Sequence, residues 1–142
     1  MAADYSKYSV LIVDDNQPFR QVLKSLLEIN FKVEVHESNH PKEAFEYLEN
    51  NIPSLIVMDL EMPYMDGLSA VKQIREIPAL KDIPVIVCTV LSDTNLVIKM
   101  AELKIKDYIL KNTEVNTLIK KFTDIFAGIE NGTINNNYQE ND

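Results

Sequence analysis

Short apolar runs alternate along this chain with longer stretches whose apolar residues recur at helical spacing, and that alternation restricts the fold more than any other feature. Val10-Leu11-Ile12-Val13, Leu55-Ile56-Val57-Met58 and Val85-Ile86-Val87-Cys88 are apolar and mostly β-branched, as buried strands require. With two weaker runs they predict strands near 9–14, 32–36, 54–58, 84–88 and 106–110. The intervening segments predict five helices. The first follows Pro18 and carries a stripe of Phe19, Val22, Leu23, Leu26 and Leu27; the second follows Pro41, with Ala44, Phe45 and Leu48 on one face. A third spans about 66–76, burying Leu68, Val71 and Ile74. A fourth starts at the capping pair Ser92-Asp93 and packs through Leu96, Val97, Met100 and Leu103. The last covers about 114–127, with Val115, Leu118, Ile119, Phe122, Ile125 and Phe126. Strands that alternate strictly with helices pair in parallel, because each return needs a crossover, and the crossovers place helices on both faces. The fold class is therefore α/β, a three-layer α/β/α sandwich on a five-stranded parallel sheet.

Composition limits what such a domain can do. The 142 residues are 46% hydrophobic and carry a net charge of −8, with no run of Lys or Arg, so direct binding to nucleic acid or to an anionic membrane is not expected. No apolar stretch is long enough to span a bilayer and no secretory leader is visible, which points to a cytoplasmic chain. The three glycines, Gly67, Gly128 and Gly132, are too scattered for a phosphate-cradling loop. The single cysteine, Cys88, lies inside an apolar run and reads as core.

Polar residues stand where these runs end. Asp14 and Asp15 follow the first, Asp59 the third and Thr89 the fourth, and Lys111 follows Tyr108-Ile109-Leu110. In parallel sheets ligands bind beyond the carboxyl ends of the strands, and the strand order 2-1-3-4-5 makes the first and third strands neighbours. Asp14, Asp15 and Asp59 then face one another and need a cation. Oxygen-only donors without Cys or a His pair select a hard ion, and Mg²⁺ suits one or two carboxylates shared with phosphate oxygens. Lys111 and Thr89 add a positive charge and a hydroxyl donor, and a carboxylate can itself accept a phosphoryl group, for which Asp59 is the candidate. His36 and His40 have no acid or Cys at metal spacing and read as surface residues after the second strand.

Taken in order, Val13-Asp14-Asp15-Asn16, the segment Met58-Asp59-Leu60-Glu61-Met62-Pro63-Tyr64-Met65-Asp66-Gly67, Thr89, and Asp107-Tyr108-Ile109-Leu110-Lys111 resemble a response-regulator receiver domain of two-component signalling, of the chemotaxis-receiver kind, over residues 8–127. The resemblance implies a flavodoxin-like fold with Asp59 as phosphoacceptor. It implies Mg²⁺ held by Asp14, Asp15, Asp59 and the backbone carbonyl of Glu61, Lys111 on the phosphoryl oxygens, and Thr89 and Tyr108 as the switch. The donor would be a histidine kinase or a histidine phosphotransfer protein. The output would be a changed surface on the fourth helix, fifth strand and fifth helix, offered to an effector protein, to an output domain or to a second copy in a homodimer. The only chemistry implied is self-phosphorylation and self-dephosphorylation.

Three positions depart from the family pattern. Asn112 replaces the usual proline after Lys111, so that bond is expected trans. Val90 replaces a small residue after Thr89 and is expected to narrow access to Asp59; Lys104 stands where a glycine is usual, so its turn must avoid a left-handed conformation or carry its cost. Two rivals stand beside the switch reading: a degenerate receiver that binds partners without phosphorylation, and a metal-dependent aspartyl phosphatase with Glu61 as acid. Residues 1–7 read as a lead-in. Residues 128–142, with five asparagines and no Lys or Arg, read as a disordered tail, and a stand-alone receiver is favoured over one cut from a longer regulator.

Overall fold

In the computed structural model the chain is described at residues 4–62, 65–90 and 94–132. Ten elements alternate without exception: β1 (Ser9–Val13), α1 (Gln17–Phe31), β2 (Glu34–Ser38), α2 (Pro41–Leu48), β3 (Leu55–Asp59), α3 (Gly67–Glu76), β4 (Val85–Thr89), α4 (Thr94–Glu102), β5 (Asp107–Leu110) and α5 (Val115–Asn131). All strand pairs are parallel, in the order β2-β1-β3-β4-β5. The expected α/β/α sandwich is the one observed. No helix among the described residues is long and apolar enough to cross a membrane.

The period of two along the strands sends alternate side chains to opposite faces. Leu11, Val13, Ile56, Met58, Val85 and Val87 join residues of α2, α3 and α4 in one core, while Val10, Ile12, Leu55, Val57, Ile86 and Cys88 join α1 and α5 in the other. β3 and β4 are buried at every position, as the central strands of a sheet covered on both faces must be. β2 lies at the edge, and of its five residues only Val35 is apolar.

Helix ends explain most of the differences from the expected boundaries. α1 starts at Gln17, because Asn16 caps it by accepting the Phe19 N–H at 2.9 Å. It ends on Lys32, whose φ of 60° and N–H bond to Glu28 take that residue out of the strand expected over 32–36, so β2 begins at Glu34. Lys104 has φ 58° and carries the left-handed cost. Its turn is clamped by Arg75 of α3, which donates to the carbonyls of Leu103 (2.9 Å), Lys104 (3.2 Å) and Ile83 (2.7 Å). The described residues contain no cis peptide, so Lys111–Asn112 is trans. Val22, Val97 and Val115 are more than half exposed, so the expected apolar stripes of α1, α4 and α5 are each one residue too wide. The Ser92-Asp93 cap falls outside the described residues.

Both termini of the domain reach further than expected. α5 continues four residues past Ala127, with Gly128 buried and Ile129 packed on the core, and stops at Gly132 with φ 73°. The remaining tail, 133–142, lies outside the described residues. At the other end Tyr5 is part of the core rather than a lead-in: its N–H donates to the Phe31 carbonyl at 2.8 Å, and its ring stacks on Phe126 at 5.3 Å and meets Phe31 at 6.2 Å. Tyr5→Ala is expected to cost about 2 kcal/mol, less than truncation of a fully buried aromatic. A urea melt would show it as a lower midpoint with unchanged slope, and an unchanged midpoint would mean that the lead-in contributes nothing to the fold.

Candidate functional site

The carboxyl edge of the sheet collects the polar residues that the apolar runs end on. Asp14 is the first residue after β1, Asp59 the last of β3, Thr89 the last of β4 and Lys111 the first after β5. One carboxylate oxygen from each of Asp14, Asp15 and Asp59 lies within 4.8 Å of the others, with Asp14 and Asp59 buried and Asp15 exposed. Among the described residues this is the one acidic group arranged to hold a metal ion. Lys111 enters from β5: its Nζ is 2.8 Å from Asp14 Oδ2 and 3.4 Å from Asp59 Oδ1, and 5.0 Å above the ring of Phe19 on α1.

These contacts leave the acids undersatisfied. Asp14 Oδ1 accepts the Asn16 N–H at 2.8 Å and Asp59 Oδ1 the Glu61 N–H at 3.2 Å. Asp59 Oδ2 is buried and accepts nothing; Asp14 Oδ2 has the Lys111 ion pair but no directed hydrogen bond. Burial pushes the Asp59 carboxyl up to about 7, and the Asp14 charge adds to the rise against the opposing Glu61 N–H and Lys111. Burial alone would lower the Lys111 ammonium, but the close carboxylate of Asp14, and then that of Asp59, raise it instead. Lys111 pairs with two of the three carboxylates, and its single charge does not balance the cluster. A buried oxygen without a donor, beside two more acids and no Cys or His, fits a hard divalent cation.

The main chain around Asp59 is packed without slack. Asp66 caps α3 by accepting the Ser69 N–H at 2.8 Å, which brings the Gly67 N–H to the Leu60 carbonyl at 3.1 Å. A Cβ on Gly67 would lie 2.1 Å from the Asp59 carbonyl oxygen, so this position of α3 admits glycine alone. The need for a glycine here is invisible in composition and follows only from the close approach.

The other expected residues fall into two groups. Thr89 is buried, its carbonyl accepts the Lys111 N–H at 2.9 Å, and it lines a cavity of about 290 Å³ with Leu60, Glu61, Leu68, Asn95, Leu96 and Lys99. Tyr108 is half-buried and packs against the core on the α3 and α4 side. The Val90 side chain is exposed, and its N–H lies 3.4 Å from Glu61 Oε1. His36 and His40 stand apart from this edge of chemistry. His36 lies within β2 rather than after it and stacks on Tyr47 at 3.8 Å, while His40 caps α2 through a 2.9 Å bond from the Lys42 N–H. Cys88 is buried, and burial raises its thiol well above the usual range, as befits a core residue. Arg20 was not singled out by sequence; it reaches this edge from α1 and donates to the Asp14 carbonyl at 2.6 Å. Pro63 and Tyr64 of the expected motif lie outside the described residues.

A family profile described as the response regulator receiver domain matches residues 10–123. The chain belongs to the response-regulator receiver family. The transcriptional regulatory protein YdfI of Bacillus subtilis (strain 168) is 41% identical to this receiver over 110 residues, 77% of this chain and 50% of that protein. The chemotaxis protein CheY of the same organism is 31% identical over 113 residues, 80% of this chain and 92% of that protein. The receiver thus spans about half of one relative and nearly all of the other. Among solved structures, the Mn²⁺-bound form of response regulator Rcp1 aligns at 26% identity and a TM-score of 0.71, covering 84% of this chain and 92% of that one.

Proposed function

We propose that this receiver is a phosphorylation-dependent switch in which Asp59 takes a phosphoryl group from phosphohistidine on a histidine kinase or phosphotransfer protein. The observation that carries the reading is the Asp59 carboxylate: buried, short of one donor, 3.4 Å from the Lys111 ammonium, and flanked by two further acids. In the step, an Asp59 oxygen forms a bond to phosphorus as the P–N bond to the donor imidazole breaks, and the released imidazole nitrogen takes a proton from solvent. Asp14, Asp15, Asp59 and the Glu61 carbonyl would hold Mg²⁺, which when bound offsets the acids and polarises the phosphoryl oxygens. Lys111 begins between Asp14 and Asp59 and would move its contact to a phosphoryl oxygen, which brings nearly two negative charges within its reach.

The switch would pass through Thr89 and Tyr108. A hydroxyl at the end of β4 can turn to donate to the new phosphoryl oxygens, and the half-buried Tyr108 on the neighbouring strand can follow into the vacated space. Both residues lie under α4, so the changed surface would be that of α4, β5 and α5, presented to an effector protein, an output domain or a second copy. Charge favours a protein partner over nucleic acid or membrane, and the setting would be the cytoplasm. Incubation with acetyl phosphate and Mg²⁺ followed by intact-protein mass tests the reading. One phosphoryl adduct is expected, lost with EDTA and lost in Asp59→Asn. No adduct from acetyl phosphate or from a kinase would favour a binding module that works without phosphorylation.

A further inference from the structure

Arg20 holds the acidic loop by its main chain. Its Nη1 donates to the Asp14 carbonyl at 2.6 Å and its Nε to Glu37 Oε1 at 3.1 Å, with a side chain only 12% exposed. Glu37 belongs to β2 and its other oxygen lies 3.6 Å from Lys24. The same loop is tied to the end of β2 a second time, by the Asp14 N–H to the Ser38 carbonyl at 3.0 Å. Asp14 is thus fixed at its N–H by β2, at its carboxylate by Asn16 and Lys111, and at its carbonyl by a guanidinium that β2 itself anchors.

The carbonyl that Arg20 binds belongs to the peptide joining Asp14 to Asp15. Turning that peptide would swing the Asp15 Cα, and because Asp15 is exposed, main-chain geometry rather than packing sets where its carboxylate points. We infer that Arg20 is a positioning residue for cation binding: anchored by Glu37, it locks the Asp14–Asp15 peptide so that both carboxylates converge on Asp59. The inference rests on the proposed metal role of these acids. It assigns a task to a residue that touches neither the metal nor the phosphoryl group, and outer partners that orient a ligand typically change metal affinity by about 10–100-fold when removed.

Charge and position act in opposite directions here, which makes the role measurable. Deleting a cation near a cation site strengthens metal binding by Coulomb's law, whereas loosening the acids weakens it. Calorimetric titration of the full chain with MgCl₂ at constant ionic strength, beside thermal melts of each metal-free protein, separates the two. Arg20→Ala is expected to weaken Mg²⁺ binding about tenfold at a temperature where it is folded. Arg20→Lys should recover part of the loss through a single donor to the carbonyl, and Lys24→Ala, which removes a charge beside the same Glu37, should bind as wild type or slightly tighter. Arg20→Met keeps the apolar stem and should show the same tenfold loss if the alanine variant does not fold. Binding by Arg20→Ala or Arg20→Met as tight as wild type, or tighter, overturns the positioning role and leaves Arg20 a structural ion pair. Wild type that fails to bind Mg²⁺ overturns the metal reading itself, and the positioning role with it.

Discussion

Gly67→Ala should destabilise this receiver by about 3 kcal/mol or more and slow phosphorylation by about a hundredfold in whatever fraction remains folded. The added Cβ would sit 2.1 Å from the Asp59 carbonyl oxygen and 2.9 Å from the Leu60 Cα, both main-chain atoms with no rotamer to yield. Relief requires α3 and the end of β3 to separate by roughly 1 Å, and displacement of a reacting group on that scale is enough to lose two orders of magnitude in rate. It also stretches the Gly67 N–H bond to Leu60. Urea melts give the stability, and acetyl phosphate labelling of the folded protein gives the rate. Wild-type stability and labelling in Gly67→Ala would mean that the approach of α3 to Asp59 is looser than described.

Metal-free protein should lose stability as pH rises from about 4 to 8, and Mg²⁺ should restore it only at the upper end. Burial pushes Asp59 up to about 7 from an ordinary 3.8. Between those values the folded state holds a proton that the unfolded state has released, so stability present at low pH is lost as pH climbs through the folded pKa. The loss is of the order of 4 kcal/mol. Asp59→Asn, which carries no charge, should escape it and melt about 10–15 °C higher than wild type at pH 8 without metal. Mg²⁺ binds the ionised acids, so its stabilising effect should be large at pH 8 and small at pH 5. Melting temperatures that do not respond to pH in wild type relative to Asp59→Asn, or a Mg²⁺ effect equal at both pH values, would contradict the electrostatic account.

The order of elements and the carboxyl-edge site were legible because each rests on local chemistry. A β-branched apolar run ending in an acid reads the same whatever surrounds it, and the parallel pairing of β1 with β3 then sets their carboxyl ends, with Asp14 and Asp59, side by side. What stayed hidden depends on contacts between distant segments. Val22, Val97 and Val115 fit a helical stripe by period, yet each stays more than half exposed. Lys32 fitted an extended pattern, but it accepts a left-handed conformation because the end of α1 needs a cap more than β2 needs another residue. Tyr5 looked like part of a tail until the Phe31 and Phe126 rings gave it a surface. Arg20 carries no signal at all in sequence, since its partners are a main-chain carbonyl and an acid 17 residues away.

The most direct test of the central claim is to trap the modified residue. Protein phosphorylated by acetyl phosphate in Mg²⁺ is treated with borohydride, which reduces an aspartyl phosphate to homoserine, and the product is located by peptide mass spectrometry. Homoserine at position 59, absent when EDTA is present, is the expected result. Reduction at Asp14, Asp15 or any other acid, with position 59 still aspartate, would contradict the account.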